Sequence, residues 1–108
     1  MQRVLVTGSS RGIGRAVAEA LAQAGFAVTV HCRSSLSDAE QALAAVRAQG
    51  AAGGLLQFDV SDRERCRAVL EEDIAANGAY YGVVLNAGIT RDGPFAGFTD
   101  TDWDEVLR

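Results

Sequence analysis

The sequence predicts an α/β fold, built as the N-terminal half of a doubly wound parallel sheet. Four short apolar runs alternate with three longer amphipathic segments along the 108 residues, and each run ends at residues typical of turns. Short continuous apolar runs are typical of parallel strands that are buried on both faces. Helical segments between such strands supply the crossovers that a parallel sheet requires. The expected order is therefore β-α-β-α-β-α-β, followed by the start of a further helix.

The four predicted strands share a high content of valine and leucine. Their sequences are RVLVT, AVTVHC, LLQFDV and GVVLN, at residues 3–7, 27–32, 55–60 and 82–86. With right-handed crossovers, these strands would form the nucleotide-binding half of a Rossmann-type fold.

Three helices are predicted from apolar spacing and from start and stop signals. After Gly12, apolar residues follow one face of a helix, and Gly25 ends that helix. The other two helices each begin with a capping box, in which a serine and a glutamate three residues later bond backbone amides. The boxes are Ser37-Asp38-Ala39-Glu40, with a stop at Gly50, and Ser61-Asp62-Arg63-Glu64, with an end near Asn77-Gly78.

Composition and charge exclude several classes of protein. The net charge of −4, from 10 basic and 14 acidic residues, argues against a nucleic-acid partner. The apolar runs are too short for a membrane span or a secretory signal, so we expect no membrane partner and a cytoplasmic location. The two cysteines, Cys32 and Cys66, lie far apart and the chain has one histidine, so no metal site is expected.

The last ten residues predict the start of another helix. Residues 99–102 are typical of a helix start, and Trp103, Val106 and Leu107 begin an apolar face. A helix this short is marginal alone, and the fourth strand would remain an uncovered apolar edge. We therefore expect residues 1–108 to be a half-domain that is truncated or split from a longer single domain.

The turn after the first strand, Thr7-Gly8-Ser9-Ser10-Arg11-Gly12-Ile13-Gly14, predicts a phosphate-binding loop. Gly8 allows a tight turn, Gly12 lets the backbone approach a pyrophosphate, and Gly14 lets the helix pack closely on the sheet. Amides of the first helical turn would then point at the anion. All seven residues from Gly8 to Gly14 are candidate cofactor contacts, and a glycine-rich turn without a ligand is the alternative.

The spacing Thr-Gly-x-x-x-Gly-x-Gly differs from the usual GxGxxG and resembles the short-chain dehydrogenase/reductase family. Other family features follow in order along the chain. They are Asp59 and Val60 at the end of the third strand, the sequence Asn86-Ala87-Gly88 at the end of the fourth, and the helix start around Trp103. Leu85 stands where the family motif NNAG has its first asparagine.

Two segments narrow this resemblance. Residues 10–14 and 86–92 are similar to bacterial 3-oxoacyl-acyl-carrier-protein reductases. That resemblance implies NADPH-dependent reduction of a β-keto thioester, linked to acyl carrier protein or another carrier, by a homodimer or homotetramer. The loop at residues 93–98 departs from those reductases, which leaves the acyl substrate open. The alternatives are a ketoreductase acting on a CoA thioester, a polyketide or a small ketone, and a non-catalytic NADP-binding regulatory module.

The end of the second strand predicts NADP(H) rather than NAD(H). An NAD-specific site normally places Asp or Glu there to bond the ribose 2′-hydroxyl. Here the strand ends in His31-Cys32-Arg33-Ser34, and Arg11 adds a second guanidinium from the glycine-rich turn. Two guanidinium groups and the Ser34 hydroxyl suit a 2′-phosphate. Taken alone, Arg33 could equally be a solvated surface charge.

The resemblance also assigns roles to residues after the third and fourth strands. It implies that Asp59 accepts from the adenine amino group and that Val60 borders the ring, although Asp59 could equally be a residue ahead of a helix cap. It implies that Asn86 bonds backbone across the gap between strands, and that Ala87 and Gly88 leave room for the nicotinamide ribose. The alternative for Asn86 is a turn asparagine.

No catalytic residue is identified in this chain. The family's chemistry uses a tyrosine as general acid, a lysine that lowers its pKa, a serine that polarises the carbonyl, and an asparagine that holds a water. Tyr80 and Tyr81 have no lysine four residues on, and His31 is expected to be a partly buried histidine away from the substrate. The catalytic residues are expected beyond Arg108.

Overall fold

The computed structural model describes residues 2–86. Its elements alternate as predicted: β1 (Arg3–Val6), α1 (Gly12–Gln23), β2 (Ala27–Cys32), α2 (Leu36–Ala48), β3 (Gly53–Gln57), α3 (Arg63–Asn77) and β4 (Gly82–Val84). This confirms the α/β fold class. The candidates Ala87 and Gly88, and the helix start around Trp103, lie outside the described residues.

The four strands form one parallel sheet in the order β3-β2-β1-β4. Val4 in β1 pairs with Val28 in β2 on one side and with Gly82 in β4 on the other. The chain first adds strands on one side of β1 and then crosses to the opposite side for β4. In open α/β sheets, ligands bind beyond the carboxyl ends of the strands at such a reversal of direction.

The sheet separates two hydrophobic clusters because side chains alternate between its faces. Val4 and Val6 of β1 pack on one face, and Leu5 packs on the other. The first cluster adds side chains from β2, α1 and α2, which are Val28, Val30, Ala18, Ala22, Ala42 and Val46. The second adds Phe58, Cys66, Leu70 and Tyr80, two of them from α3. Both faces are therefore covered. In the described part of the chain, no helix is long and apolar enough to cross a membrane.

The third strand differs from its predicted bounds. It begins at Gly53 and ends at Gln57, whereas the apolar pattern predicted residues 55–60. Gly53 and Gly54 pair with Val28 and Thr29 of β2 although they carry no side chains that could signal a strand. After Gln57 the Phe58 amide still donates to the Cys32 carbonyl at 3.1 Å, and the chain then turns toward α3.

Both predicted capping boxes are wrong in position. Helix α2 begins at Leu36 with Ser35 at its N-cap, so Ser37 already lies inside the helix. The N-cap of α3 is Asp62, whose Oδ1 accepts from the Arg65 amide at 3.1 Å. The Ser61 hydroxyl instead donates to Asp59 Oδ1 at 2.7 Å. An aspartate can cap a helix as well as a serine can, and here Ser61 already has a partner.

Candidate functional site

A groove of about 630 Å³ lies beyond the carboxyl ends of β1, β2 and β3. Three separate segments line it: the glycine-rich turn, the end of β2 with the residues that follow, and the residues after β3. Seven of the predicted contacts are among its lining residues, namely Gly8, Ser10, Arg11, Arg33, Ser34, Asp59 and Val60. The fold therefore brings Gly8 and Val60, which lie 52 positions apart in the sequence, to the same groove.

The glycine-rich turn presents the N-terminus of α1 at this groove. Gly8 and Gly12 have φ angles of +61° and +65°, a left-handed region that favours glycine. Arg11 is extended at the N-cap of α1, and within residues 2–86 no side chain caps that N-terminus. Ile13, in the first turn, is 76% exposed. Uncapped first-turn amides at the positive end of the helix dipole form a ready site for an anion.

Gly14 lets the start of α1 approach the ends of β1 and β4. A Cβ at this position would collide with the Gly8 carbonyl oxygen and lie 2.6 Å from Asn86 Nδ2. The Asn86 amide donates to Thr7 Oγ1 at 2.9 Å, and its Nδ2 donates to the Gly8 carbonyl at 3.4 Å. Asn86 thus bonds across the gap between β4 and β1, in the manner that the family resemblance implied.

His31 and Ser9 attach the glycine-rich turn to β2. The Ser9 amide donates to the His31 carbonyl at 3.0 Å, and the His31 amide donates to Ser9 Oγ at 2.8 Å. The Gly8 amide donates to His31 Nδ1 at 2.9 Å. Ser9 is buried beneath the turn, so in this structure it shapes the loop instead of lining the groove. The expectation that His31 is only partly buried was wrong, because 1% of it is exposed.

The two arginines predicted to bind a 2′-phosphate lie along the same groove, each facing a carboxylate. Arg33 Nε lies 3.2 Å from Asp59 Oδ2, and the Arg33 side chain is 74% exposed. Arg11 Nη1 lies 4.0 Å from Asp38 Oδ2 of α2, with 76% of the Arg11 side chain exposed. Both pairs are open to solvent, so they contribute little to stability.

Asp59 sits between Arg33 and the start of α3. The Ser61 amide donates to Asp59 Oδ1 at 2.9 Å, and the Ser61 hydroxyl donates to the same oxygen. These bonds from Ser61, and then the nearby Arg33 charge, hold the pKa of Asp59 below its usual value. Asp59 is therefore an ionised acceptor at neutral pH, in a groove whose lining also includes two arginines and four serines.

Tyr80 occupies a different part of the molecule. It is fully buried, its hydroxyl donates to Asp73 of α3, and the Arg3 guanidinium lies 4.6 Å from its ring centroid. Burial and the bond to Asp73 raise the pKa of Tyr80. Tyr81, by contrast, is 60% exposed. Arg3 and Asp73 form an ion pair of 3.0 Å at the amino end of β1, opposite the groove. Tyr80 is therefore part of the core and not of the site.

Comparison with known proteins identifies the family. The family model for short chain dehydrogenase matches residues 2–108. The chain belongs to the short-chain dehydrogenase family. It is 57% identical, over 99% of its length, to the 3-oxoacyl-[acyl-carrier-protein] reductase FabG of Aggregatibacter actinomycetemcomitans, and covers 44% of that protein. It is 42% identical, over 96% of its length, to the reductase of the same name from Pseudomonas aeruginosa, and covers 42% of it.

Solved structures of short-chain dehydrogenases share the fold. The acetoin dehydrogenase of Enterobacter cloacae superposes with a TM-score of 0.75 at 31% identity, over 96% of this chain and 41% of that one. The chain thus spans less than half the length of the relatives it matches.

Four residues that line the groove were not predicted as contacts: His31, Cys32, Ser35 and Ser61. His31 makes the most contacts with the glycine-rich turn of these four. His31 was assigned no role, yet its Nδ1 accepts from the Gly8 amide and its own amide donates to Ser9 Oγ. The signal was available, because β1 and β2 are adjacent in such a fold and their carboxyl ends lie side by side. A histidine two residues before Arg33 is therefore placed next to the residues that follow β1. Among the residues that the structure describes, no cluster of His, Cys, Asp and Glu could bind a metal.

Proposed function

We propose that residues 1–108 supply the cofactor half of an NADPH-dependent reductase that converts an acyl-carrier-protein-linked 3-oxoacyl thioester into the 3-hydroxyacyl thioester. The observation that carries this proposal is the groove that joins the uncapped N-terminus of α1 to Arg33 and Arg11. A bound nicotinamide cofactor supplies the hydride for the 3-oxo carbon. The residues of this chain bind and orient that cofactor.

The described residues fit such a cofactor. The α1 amides suit the pyrophosphate, and the glycines at positions 8 and 12 keep side chains away from it. The Nη groups of Arg33, with Arg11 and Ser34, suit the 2′-phosphate. Asp59 and Val60 suit the adenine, since one can accept from its amino group and the other is a half-buried apolar neighbour. We propose Ala87 and Gly88 as contacts of the nicotinamide ribose.

The proton donor is proposed to come from residues other than these. All ten basic residues of the chain are arginines, so it contains no lysine and no Tyr-x-x-x-Lys pair. The Tyr80 hydroxyl is bonded to Asp73 in the core. The identity of 57% with a 3-oxoacyl-[acyl-carrier-protein] reductase supports the substrate class. The likeness to an acetoin dehydrogenase favours a small ketone as the second candidate.

Cofactor choice is tested with Arg33→Ala in the complete protein that contains this chain. A hydrogen bond to a charged group contributes roughly 1.5–3 kcal/mol, so NADPH affinity should fall about ten- to hundredfold while NADH affinity stays nearly unchanged. Arg15→Ala is the matched control, because Arg15 pairs with Glu19 on α1 instead of lining the groove. Equal losses for both cofactors would show that Arg33 acts only structurally. The expected preference for NADPH would then lose its main support.

Substrate class is tested by following NADPH oxidation with three ketones. Acetoacetyl-acyl carrier protein should be reduced with a higher kcat/KM than acetoacetyl-CoA, and acetoin formation from diacetyl should be slowest. A preference for diacetyl would favour the small-ketone alternative. A protein that binds NADPH and reduces none of the three would instead be a regulatory module.

A further inference from the structure

His31 holds the glycine-rich turn and the residue after β3 with opposite sides of one ring. Its Nδ1 accepts from the Gly8 amide at 2.9 Å, and its Nε2 lies 2.8 Å from the Phe58 carbonyl oxygen. The ring also packs on the Phe58 side chain, with 4.2 Å between centroids. The imidazole therefore joins two of the three segments that line the groove.

These partners determine the protonation state of the ring. The Gly8 amide can only donate, so Nδ1 must carry a lone pair. The Phe58 carbonyl can only accept, so Nε2 must carry the proton. The neutral Nε2–H tautomer satisfies both contacts at once. A protonated imidazole would instead set an N–H group against the Gly8 N–H, which would break that bond and displace the turn.

We infer that His31 is a positioning residue for the cofactor, and that its neutral Nε2–H tautomer holds the turn in the conformation that receives the pyrophosphate. This inference rests on the proposed cofactor function of the groove. Gly8 begins the turn and Gly12 ends it at α1, so a bond at Gly8 controls how the α1 amides face the groove. His31 touches no cofactor atom under this assignment and acts through Gly8.

The charges around His31 come from each segment of the groove. Arg11 lies on the turn, Arg33 follows β2, Asp59 follows β3, and Asp38 of α2 faces Arg11. The two arginines disfavour a charged imidazole and the two carboxylates favour it, and all four are open to solvent. Burial lowers the pKa of His31, and the bond to the Phe58 carbonyl opposes this shift only in part. His31 is therefore neutral at pH 7, and acid should weaken cofactor binding.

Two variants separate the two bonds of the ring. Asparagine at position 31 places an amide oxygen near the site of Nδ1, so His31→Asn keeps an acceptor for Gly8 and cannot titrate. Glutamine reaches the site of Nε2, so His31→Gln keeps a donor for Phe58 and leaves the buried Gly8 amide without an acceptor. The two variants are matched to each other, because both replace the imidazole ring with an uncharged amide.

The experiment measures the binding of NADP⁺ to the complete protein by calorimetry between about pH 5 and 8. His31→Asn should bind nearly as the wild type does at pH 7.5, and His31→Gln should bind roughly tenfold more weakly. Below the pKa of His31, wild-type affinity should fall by up to about tenfold per pH unit. The 2′-phosphate itself titrates with a pKa of about 6, and His31→Asn shows this contribution alone. Long-range proton–nitrogen NMR should show the Nε2–H tautomer and give the pKa of His31.

The outcomes distinguish this inference from the proposed function. Wild-type protein that binds no NADP⁺ at pH 7.5 would overturn the proposed function, and the inference with it. Wild-type binding that is matched by His31→Gln, or an acid loss that persists fully in His31→Asn, would overturn the inference alone. An Nδ1–H tautomer in the NMR spectrum would also overturn it, whether or not the variants fold.

Discussion

Replacing Gly14 by alanine perturbs the closest contact between α1 and the sheet. The added Cβ would lie 2.6 Å from Asn86 Nδ2 and 2.9 Å from the Gly8 carbonyl carbon, and closer still to the carbonyl oxygen. Two of these three atoms belong to the backbone, so a change of side-chain rotamer cannot relieve the contact. Normal separations between such atoms start near 3.5 Å, so the start of α1 would have to move by roughly 1 Å.

The size of the effect follows from two opposing contributions. Forcing one extra carbon into a packed contact typically costs about 1–3 kcal/mol. Alanine is favoured over glycine within a helix by up to about 1 kcal/mol, although less so in the first turn, where Gly14 lies. The free energy of unfolding should therefore fall by about 1–2 kcal/mol. The displaced α1 amides should also lower NADPH affinity by about tenfold or more.

The assay combines denaturant unfolding with NADPH titration, using Gly14→Ala and a control glycine. Gly54→Ala is the matched control, because a Cβ at Gly54 would meet no described atom within 4 Å. Gly54 lies inside β3, where alanine should be neutral or slightly stabilising, and it should leave NADPH affinity unchanged. Wild-type stability and wild-type affinity in Gly14→Ala would refute the steric explanation of this glycine.

Further substitutions and one labelling reaction test the fold. Tyr80→Phe removes the buried bond to Asp73 and should lower the free energy of unfolding by about 1.5 kcal/mol in denaturant titrations. Burial alone would raise the pKa of Asp73, but hydrogen bonds from Tyr80 and other donors outweigh burial and lower that pKa. The contribution of ionised Asp73 to stability is therefore present above about pH 4 and is lost as the pH falls through the pKa of the folded state. Replacing Asp73 with asparagine should flatten this acid dependence. Asp62→Ala should cost about 1 kcal/mol of stability and Ser61→Ala clearly less, whereas the reverse order would restore Ser61 as the cap of α3. Burial raises the pKa of the Cys66 thiol to about 11, so it should resist thiol reagents at neutral pH until the protein unfolds, and rapid labelling would contradict its buried position.

The order of helices and strands could be predicted because it depends on the spacing of apolar side chains along the sequence. The second strand was predicted at its observed bounds, Ala27–Cys32. All six of its residues are buried, which makes the run mainly apolar, and Gly25 separates the run from α1. The start of the third strand could not be placed, because Gly53 and Gly54 join the sheet through backbone pairing alone. Helix caps were misplaced for a related reason. Adjacent residues such as Ser61 and Asp62 can each cap a helix, and the choice depends on which of them has another partner.

The groove, like the helix caps, depends on contacts between residues that the sequence does not show. Seven of the residues that the motifs predicted as cofactor contacts line the groove, because the glycine spacing and the strand ends fix where backbone and side chains converge. A motif assigns a role to each residue separately, however, and the charges in this groove interact in pairs. Asp59 and Arg33 were given separate roles toward adenine and phosphate, yet they lie 3.2 Å apart as an ion pair. Replacing Arg33 with alanine therefore also removes the charge beside Asp59, while the two hydrogen bonds from Ser61 to Asp59 remain. Under the proposed assignment, a 2′-phosphate that binds Arg33 would share it with a carboxylate, so cofactor preference would depend on both residues and not on the arginine alone.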